Sequence, residues 1–571
     1  MGTMRLSTPS FRTVPGSWWL PLKQLTSSTI AWWLFLILAL ILFGVEAGYF
    51  ASPDSLIRGF AGWAWLAISC LVLVIAFLHS FLPFFATEFG ASRDRLWYLA
   101  AFLFPPLLIL FDIQGITYTV LNTESTQQLA AAMEYAHNSR DLGIFNLAFL
   151  GYPSRQYLLA ALPSLIFGTG LITLRLGYAA FYLIAYLSFL SATWAYLRHW
   201  KFKFPLLLAS FAGLSVALAT FPLLLARIFE QTIIPISVVL LFLAGLLFFL
   251  IRPAPIPALW VFWSFGMMPH SYSPTLGFMA LAVPLLGYLC FPWDKLRTLT
   301  LLGVLAYGAA TMASSIAIQG QADVLRGRFT LGGVPNLTVA DWLYRYGVGF
   351  HAAFGLEESL IPAHLVLGSL IILYASLRQK DFRFLLLVLW SIGVVFFALA
   401  LQGYCWGVPE WDLHRAMIIL PPLSLAVTLY LASYWKAFIP SQYDFAFRGL
   451  IIGVLLLLIL NAIYLPLIRR GPRGSTIDVI NDQEEATLLV VNHSGPPPKL
   501  IYVIPDNLVL EDGLQYFSPE TKVIHGPPPA GEHSEGAFVL SFIHPDDPES
   551  RYWDQFARHT HPRPFLQMKP E

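Results

Sequence analysis

Gln231-Thr232-Ile233-Ile234-Pro235-Ile236-Ser237-Val238-Val239-Leu240-Leu241-Phe242-Leu243-Ala244-Gly245-Leu246-Leu247-Phe248-Phe249-Leu250-Ile251 runs twenty-one residues without a charge and stops at Arg252. At about 1.5 Å per residue, a helix of that length spans the roughly 30 Å of a bilayer's hydrocarbon core. The rest of the chain repeats the message. Of its 571 residues 57% are apolar and 12% charged, against roughly 45–50% and 25% in a soluble domain. Mean hydropathy is +0.65, so lipid must solvate the apolar excess. The 34 basic and 33 acidic side chains leave a formal charge of +1, which provides no field for a polyanion and excludes nucleic acid as partner. Cys70, Cys290 and Cys405 lie too far apart to suggest a disulfide framework or a thiolate cluster.

Further apolar runs lie at about 28–50, 62–86, 96–112, 173–197, 205–226, 257–269, 274–291, 298–318, 360–377, 384–402, 416–433 and 449–468, thirteen in all. The first, preceded by Arg5, Arg12 and Lys23, is too long for a signal peptide and reads as an uncleaved span. Arg93 and Arg95, Arg198 to Lys203, Arg252, Lys295 and Arg297, Arg378 to Arg383, and Lys436 fall on one side if the N-terminus is cytoplasmic. Tyr157 to Phe167 is too short to cross and is expected as an interfacial helix. The expected fold is an all-α polytopic membrane protein of about thirteen transmembrane helices with a small extracytoplasmic α/β domain. Residues 1–94 hold the first spans, 95–468 the main transmembrane domain with outer loops 112–171 and 319–358, and 469–571 the soluble domain.

In that tail, Gly495-Pro496-Pro497-Pro498 and Gly526-Pro527-Pro528-Pro529 punctuate strand-like runs at Leu500 to Ile504 and Phe538 to Ile543. It carries no Gly-rich phosphate loop and no metal-ligand spacing, and its scattered histidines read as loop residues.

The first outer segment opens Phe111-Asp112-Ile113-Gln114-Gly115. From Thr123-Glu124 onward Leu129, Met133 and Ala136 recur at helical spacing, with Thr123 as N-cap and Glu124 in the first turn. A turn follows at Asp141-Leu142-Gly143, then Gly151-Tyr152-Pro153-Ser154-Arg155-Gln156-Tyr157 leads into the interfacial helix. This order of elements resembles the C-type glycosyltransferase superfamily, the integral-membrane enzymes that include protein O-mannosyltransferases and lipid-A aminoarabinose transferases. Two positions depart from the family pattern: Thr123 stands where an Asp would precede Glu124, and Ser154 replaces the second Pro of the later motif.

The resemblance implies a sugar donor on a polyprenyl phosphate, taken from the bilayer, and an acceptor hydroxyl on a glycan, lipid or protein outside the cytoplasmic membrane. A base must reach that hydroxyl and a cation must meet the departing phosphate. Glu124 is the candidate base, with a solvated helix-start carboxylate as the plain alternative. Asp112 is the second candidate, or marks the water interface. Arg415, with His414 beside it in Glu410-Trp411-Asp412-Leu413-His414-Arg415, is the candidate phosphate partner, or anchors head groups. His270 in an outer turn, Tyr152, Arg326 and Arg328 are candidate substrate-binding residues. No organic cofactor is called for, and a divalent metal is compatible with the chemistry. A non-catalytic scaffold subunit of the same fold is the alternative, suggested by the missing Asp. A secondary transporter is disfavoured, because span interiors read as nearly free of ionisable groups and no repeat is visible.

Overall fold

In the computed structural model the described residues are 29–52, 55–86, 92–110, 123–147, 153–168, 171–219, 233–271, 295–320, 362–379, 417–438, 440–464, 498–504, 520–529, 537–543 and 565–570, with a few isolated positions between them. Thirteen α-helices and four strands are resolved among them: α1 Thr29–Ala47, α2 Leu56–Ser80, α3 Arg95–Leu110, α4 Thr123–Asn138, α5 Ser154–Phe167, α6 Leu171–His199, α7 Pro205–Ala217, α8 Ile233–Ile251, α9 Pro255–Met267, α10 Lys295–Gly320, α11 Ala363–Gln379, α12 Leu420–Phe438 and α13 Asp444–Tyr464, then β1 Leu500–Val503, β2 Lys522–His525, β3 Ala537–Ile543 and β4 Phe565–Pro570.

Among the described residues seven helical segments are long and apolar enough to cross a bilayer: 29–50, 56–80, 175–199, 233–251, 296–318, 417–437 and 441–463. Three shorter apolar helices, at 95–110, 205–217 and 363–378, accompany them. The chain is thus a multi-pass membrane protein, but thirteen spans are not established among the described residues. The runs at 274–291 and 384–402 lie almost wholly outside those residues. The run expected at 62–86 is a helix shifted toward the N-terminus, 56–80. Ser55 caps it by accepting from the Arg58 amide at 3.2 Å, and Pro83, which has no N–H to donate, sits in the 3₁₀ turn after it. Arg58 is tolerated inside the helix because a carboxylate elsewhere in the fold takes its charge, as described below.

The bundle has a graded interior. In α8, 94% of the most apolar window is buried, against 22% in α1 and in α13, so α8 is central and the other two face lipid with residues such as Leu40, Leu450 and Leu457 exposed. Helix α6 packs against α2, α5, α7 and α8 and contributes the fully buried Tyr178, Tyr182 and Tyr186. Water does not drive helices together within lipid, so close packing and interhelical hydrogen bonds carry more of the work. Trp263 Nε1 donates to Ser69 Oγ at 2.9 Å, Tyr186 Oη to the Ala101 carbonyl at 2.6 Å, and Ser191 Oγ to the His79 carbonyl at 2.7 Å. Phe262 stacks on Tyr307 at 4.4 Å between centroids, joining α9 to α10.

The two ends of the bundle differ. At one, Lys203 Nζ lies 3.0 Å from Asp444 Oδ1, Trp435 Nε1 donates to the same oxygen at 2.7 Å, Arg448 pairs with Asp94, and Lys436 Nζ donates to the Trp200 carbonyl at 2.9 Å. Several of the basic loops grouped together in the sequence therefore do meet at one end. The other end carries the first long loop.

The tail forms a four-stranded sheet in the order β2-β1-β3-β4. β1 is parallel to both β2 and β3, with Leu500 opposite Lys522 and Ala537, while β3 and β4 are antiparallel. Parallel neighbours require crossover connections rather than hairpins, which fits a small α/β unit. β1 and β3 coincide with the two expected runs. β2 and β4 carry Lys522, His525, Gln567 and Lys569 and gave no apolar signal.

Candidate functional site

The first long loop is built on helix α2. Its Gly62 meets the Asp141 backbone so closely that an added Cβ would lie 2.3 Å from the Asp141 carbonyl oxygen. Only a residue without a side chain lets the turn seat there. Asp141 then organises the turn. Its carboxylate accepts from Arg58 Nε at 2.6 Å, Ser139 Oγ at 2.8 Å and the Gly143 amide at 3.0 Å. Gly143 takes φ +72°, reversing the chain so that Ile144 and Phe145 point back into the bundle. Leu147 bridges to Pro153, and Ser154 donates its hydroxyl to the Gly143 carbonyl. The departure from the Pro-Pro pattern at this position thus supplies a hydrogen bond that ties turn to helix.

One residue further on, Arg155 enters the bundle with its side chain 1% exposed. Its Nε donates to the Ile144 carbonyl at 2.9 Å, and its Nη1 pairs with Glu46 Oε1 at 2.6 Å. Glu46 belongs to the last turn of α1 and is 4% exposed in its side chain. Its other oxygen accepts from Ser314 Oγ of α10 at 2.5 Å and lies 3.5 Å from His270 Nε2. His270, in the 3₁₀ turn Met268–His270 after α9, is fully buried. Phe145 packs its ring against both cations, with Arg58 at 4.9 Å and Arg155 at 5.3 Å from the centroid. Four segments of the chain, α1, α5, the turn after α9 and α10, therefore meet at one buried carboxylate, and the turn after α4 joins them through Arg155.

Burying two charges in lipid is costly unless each is paired and hydrogen-bonded. Here the pairing is incomplete. Among the described residues Arg155 Nη2, His270 Nδ1 and both amide atoms of Gln156 are buried without a hydrogen-bond partner, although native interiors leave few such atoms.

Of the candidate catalytic and substrate-binding residues named from the sequence, the structure describes the side chain of His270 alone. Glu124 lies in the first turn of α4, where the backbone is described and the side chain is not. Asp112, Tyr152, Arg326, Arg328, His414 and Arg415 lie outside the described residues. Glu46 and Arg155 were missed. Glu46 is one carboxylate in an otherwise apolar run, and an ionisable residue within a span is the signal that marks it. The reading of span interiors as nearly free of such groups is corrected by Glu46 and by the buried Arg175 of α6. Among the described residues no group of three or more His, Cys, Asp or Glu is placed to hold a metal.

No protein-family model matches the sequence, and no curated protein resembles it significantly. Solved structures do. The aminoarabinose transferase ArnT from Cupriavidus metallidurans in the apo state shares 14% identity at a TM-score of 0.43, over 82% of this chain and 95% of that one. The same enzyme bound to undecaprenyl phosphate gives 14% and 0.44 over the same shares. The Archaeoglobus fulgidus oligosaccharyltransferase in complex with zinc and sulfate gives 14% and 0.43, over 78% of this chain and 68% of that one. Both proteins are C-type glycosyltransferases. At such overlap the residue roles have to be drawn from this chain itself.

Proposed function

We propose that the protein is a membrane glycosyltransferase that moves a sugar from a polyprenyl-phosphate donor to an acceptor hydroxyl at the end of the bundle bearing the first long loop. The observation that carries this reading is the buried polar cluster there, in which Arg155, Glu46, His270 and Ser314 converge at the end of the spans. A bilayer-embedded donor needs its polar head received at that depth, between lipid and water, where charged and hydroxyl side chains are costly to hold without a use.

In this reading Glu124, at the start of α4, takes the proton from the acceptor hydroxyl as it attacks the anomeric carbon. Asp112 is the alternative base. Arg415, assisted by His414, receives the lipid phosphate as the glycosidic bond breaks and charge grows on the leaving oxygen. Tyr152, Arg326 and Arg328 lie on the two long loops from which the acceptor would be gripped. Glu46 is engaged by Arg155 and Ser314, so the described cluster does not fit a divalent cation, and no step here uses one. The basic loops gathered at the opposite end support a cytoplasmic N-terminus and an extracytoplasmic active face.

The test is transfer by purified protein in lipid nanodiscs from a panel of polyprenyl-phosphate hexoses and pentoses to glycan, lipid and peptide acceptors. Sugar transfer above a membrane-only control is expected. No transfer from any donor would leave the scaffold reading, in which the fold is kept and the chemistry lost.

A further inference from the structure

Glu46 and Arg155 neutralise each other, so the cluster as a whole has no net charge to spend on a phosphate. A second buried cation beside Arg155 would be costly, which makes the His270 imidazole neutral. Its Nε2 faces the Glu46 carboxylate at 3.5 Å and Ser314 Oγ at 3.4 Å, so the proton sits on that nitrogen and Nδ1 is an acceptor. Arg155 Nη2 is a donor. Neither atom has a partner among the described residues, and both are buried. An unpartnered donor and an unpartnered acceptor beside one neutral ion pair suit hydroxyl groups, which both accept and donate.

Resting on the glycosyltransferase reading, we infer that Arg155 Nη2 and His270 Nδ1 form a recognition site for the uncharged, hydroxyl-bearing ring of the donor sugar, with the Gln156 amide beside them, while the lipid phosphate is received elsewhere. Glu46 and Ser314 are positioning residues in this site. They fix the tautomer and the ring plane of His270 and hold the guanidinium so that only Nη2 is left over.

Two substitutions at His270 separate ligand recognition from structure. Gln places an amide nitrogen where Nε2 stands, keeping the contacts to Glu46 and Ser314 while losing the Nδ1 acceptor. Asn does the reverse. Affinity is measured by fluorescence titration in nanodiscs with citronellyl phosphate, its glucosyl, mannosyl and galactosyl esters, and their deoxy analogues, after the melting temperature of each variant is read. Wild type is expected to lose about tenfold in affinity when one particular hydroxyl is removed, the size of a single buried hydrogen bond. His270→Gln should lose that discrimination while melting like wild type, and His270→Asn should retain it. The inference is overturned if His270→Gln discriminates as wild type does, or if wild type binds the bare lipid phosphate as tightly as its glycosyl esters. A Gln variant that fails to fold would show that the protein itself holds Nδ1, and overturns it equally. Discrimination without any transfer to acceptors would sink the glycosyltransferase reading and leave the sugar site standing, whereas transfer without discrimination would do the opposite.

Discussion

Replacing Glu46 with Gln keeps the shape of the side chain and removes its charge, leaving the Arg155 guanidinium buried without a counterion. The structure sets the scale. The carboxylate makes two short charge-assisted contacts, 2.6 Å to Arg155 Nη1 and 2.5 Å to Ser314 Oγ, with both members of the pair almost wholly buried. Breaking a buried ion pair by removing one partner costs about 3–5 kcal/mol. A membrane protein's unfolded state stays in lipid and finds other partners, which puts the expectation at the lower end, about 3 kcal/mol. Arg155→Gln should cost a similar amount, since Glu46 is then the stranded charge and the Ile144 carbonyl also loses its donor. The double variant strands no charge. Its cost should fall short of the sum by about 2 kcal/mol, as expected for residues in direct contact. Equilibrium unfolding in mixed micelles titrated with dodecyl sulfate reads all four states of the cycle. Costs that add to within about 0.5 kcal/mol would refute the pairing as the source of stability.

Gly62→Ala forces a Cβ against the Asp141 backbone. Overpacking of about 1–3 kcal/mol, partly offset by about 1 kcal/mol of helix propensity, should lower the melting temperature, and an unchanged melt would disprove the close seating. Glu124→Gln should reduce sugar transfer by about 10²- to 10⁴-fold with folding intact; full activity there together with a dead Asp112→Asn would move the base to Asp112. Arg415→Lys should be impaired and Arg415→Ala more so, because an ammonium cannot reproduce a bidentate guanidinium–phosphate contact; a Lys variant as active as wild type would remove Arg415 from the site. Reporter fusions after residues 203 and 380 should give cytoplasmic signals and one after 571 an external signal, and the reverse pattern would place the loop end inside the cell.

What the sequence makes legible is what depends on neighbours in sequence. The uncharged run at 231–251 contains α8, Ile233–Ile251, and the order helix, turn, helix between Thr123 and Phe167 is found in α4, the Asp141 turn and α5. The second helix starts at Leu56, ahead of the apolar run at 62–86, and Arg58 in its first turn is neutralised by Asp141, 83 residues away. The Glu46 cluster, likewise built from distant residues, was illegible. The distance along the chain from Glu46 is 109 residues to Arg155 and 268 to Ser314, and no local pattern couples such positions. Arg155 stood in the quoted motif without a role, since a charged residue after Pro153 reads equally well as a solvated helix start.

Those separations also bear on biogenesis. A nascent chain enters the bilayer from its N-terminal side, so Glu46 reaches its place with α1 before Arg155 has been synthesised and long before α10 can offer Ser314. A carboxylate inside a span resists insertion by about 2.5–3.5 kcal/mol at the span's centre and by less toward its ends. The hydropathy of 2.3 over the first span carries that burden until the partner arrives. The orphan acid is in effect an unfilled socket that marks the half-made protein. Placement of the loop bearing Arg155 and the later docking of α10 close it in sequence, so a chain stalled between those events would present an unshielded intramembrane charge, the kind of feature by which membrane quality control can tell unfinished helices from finished ones.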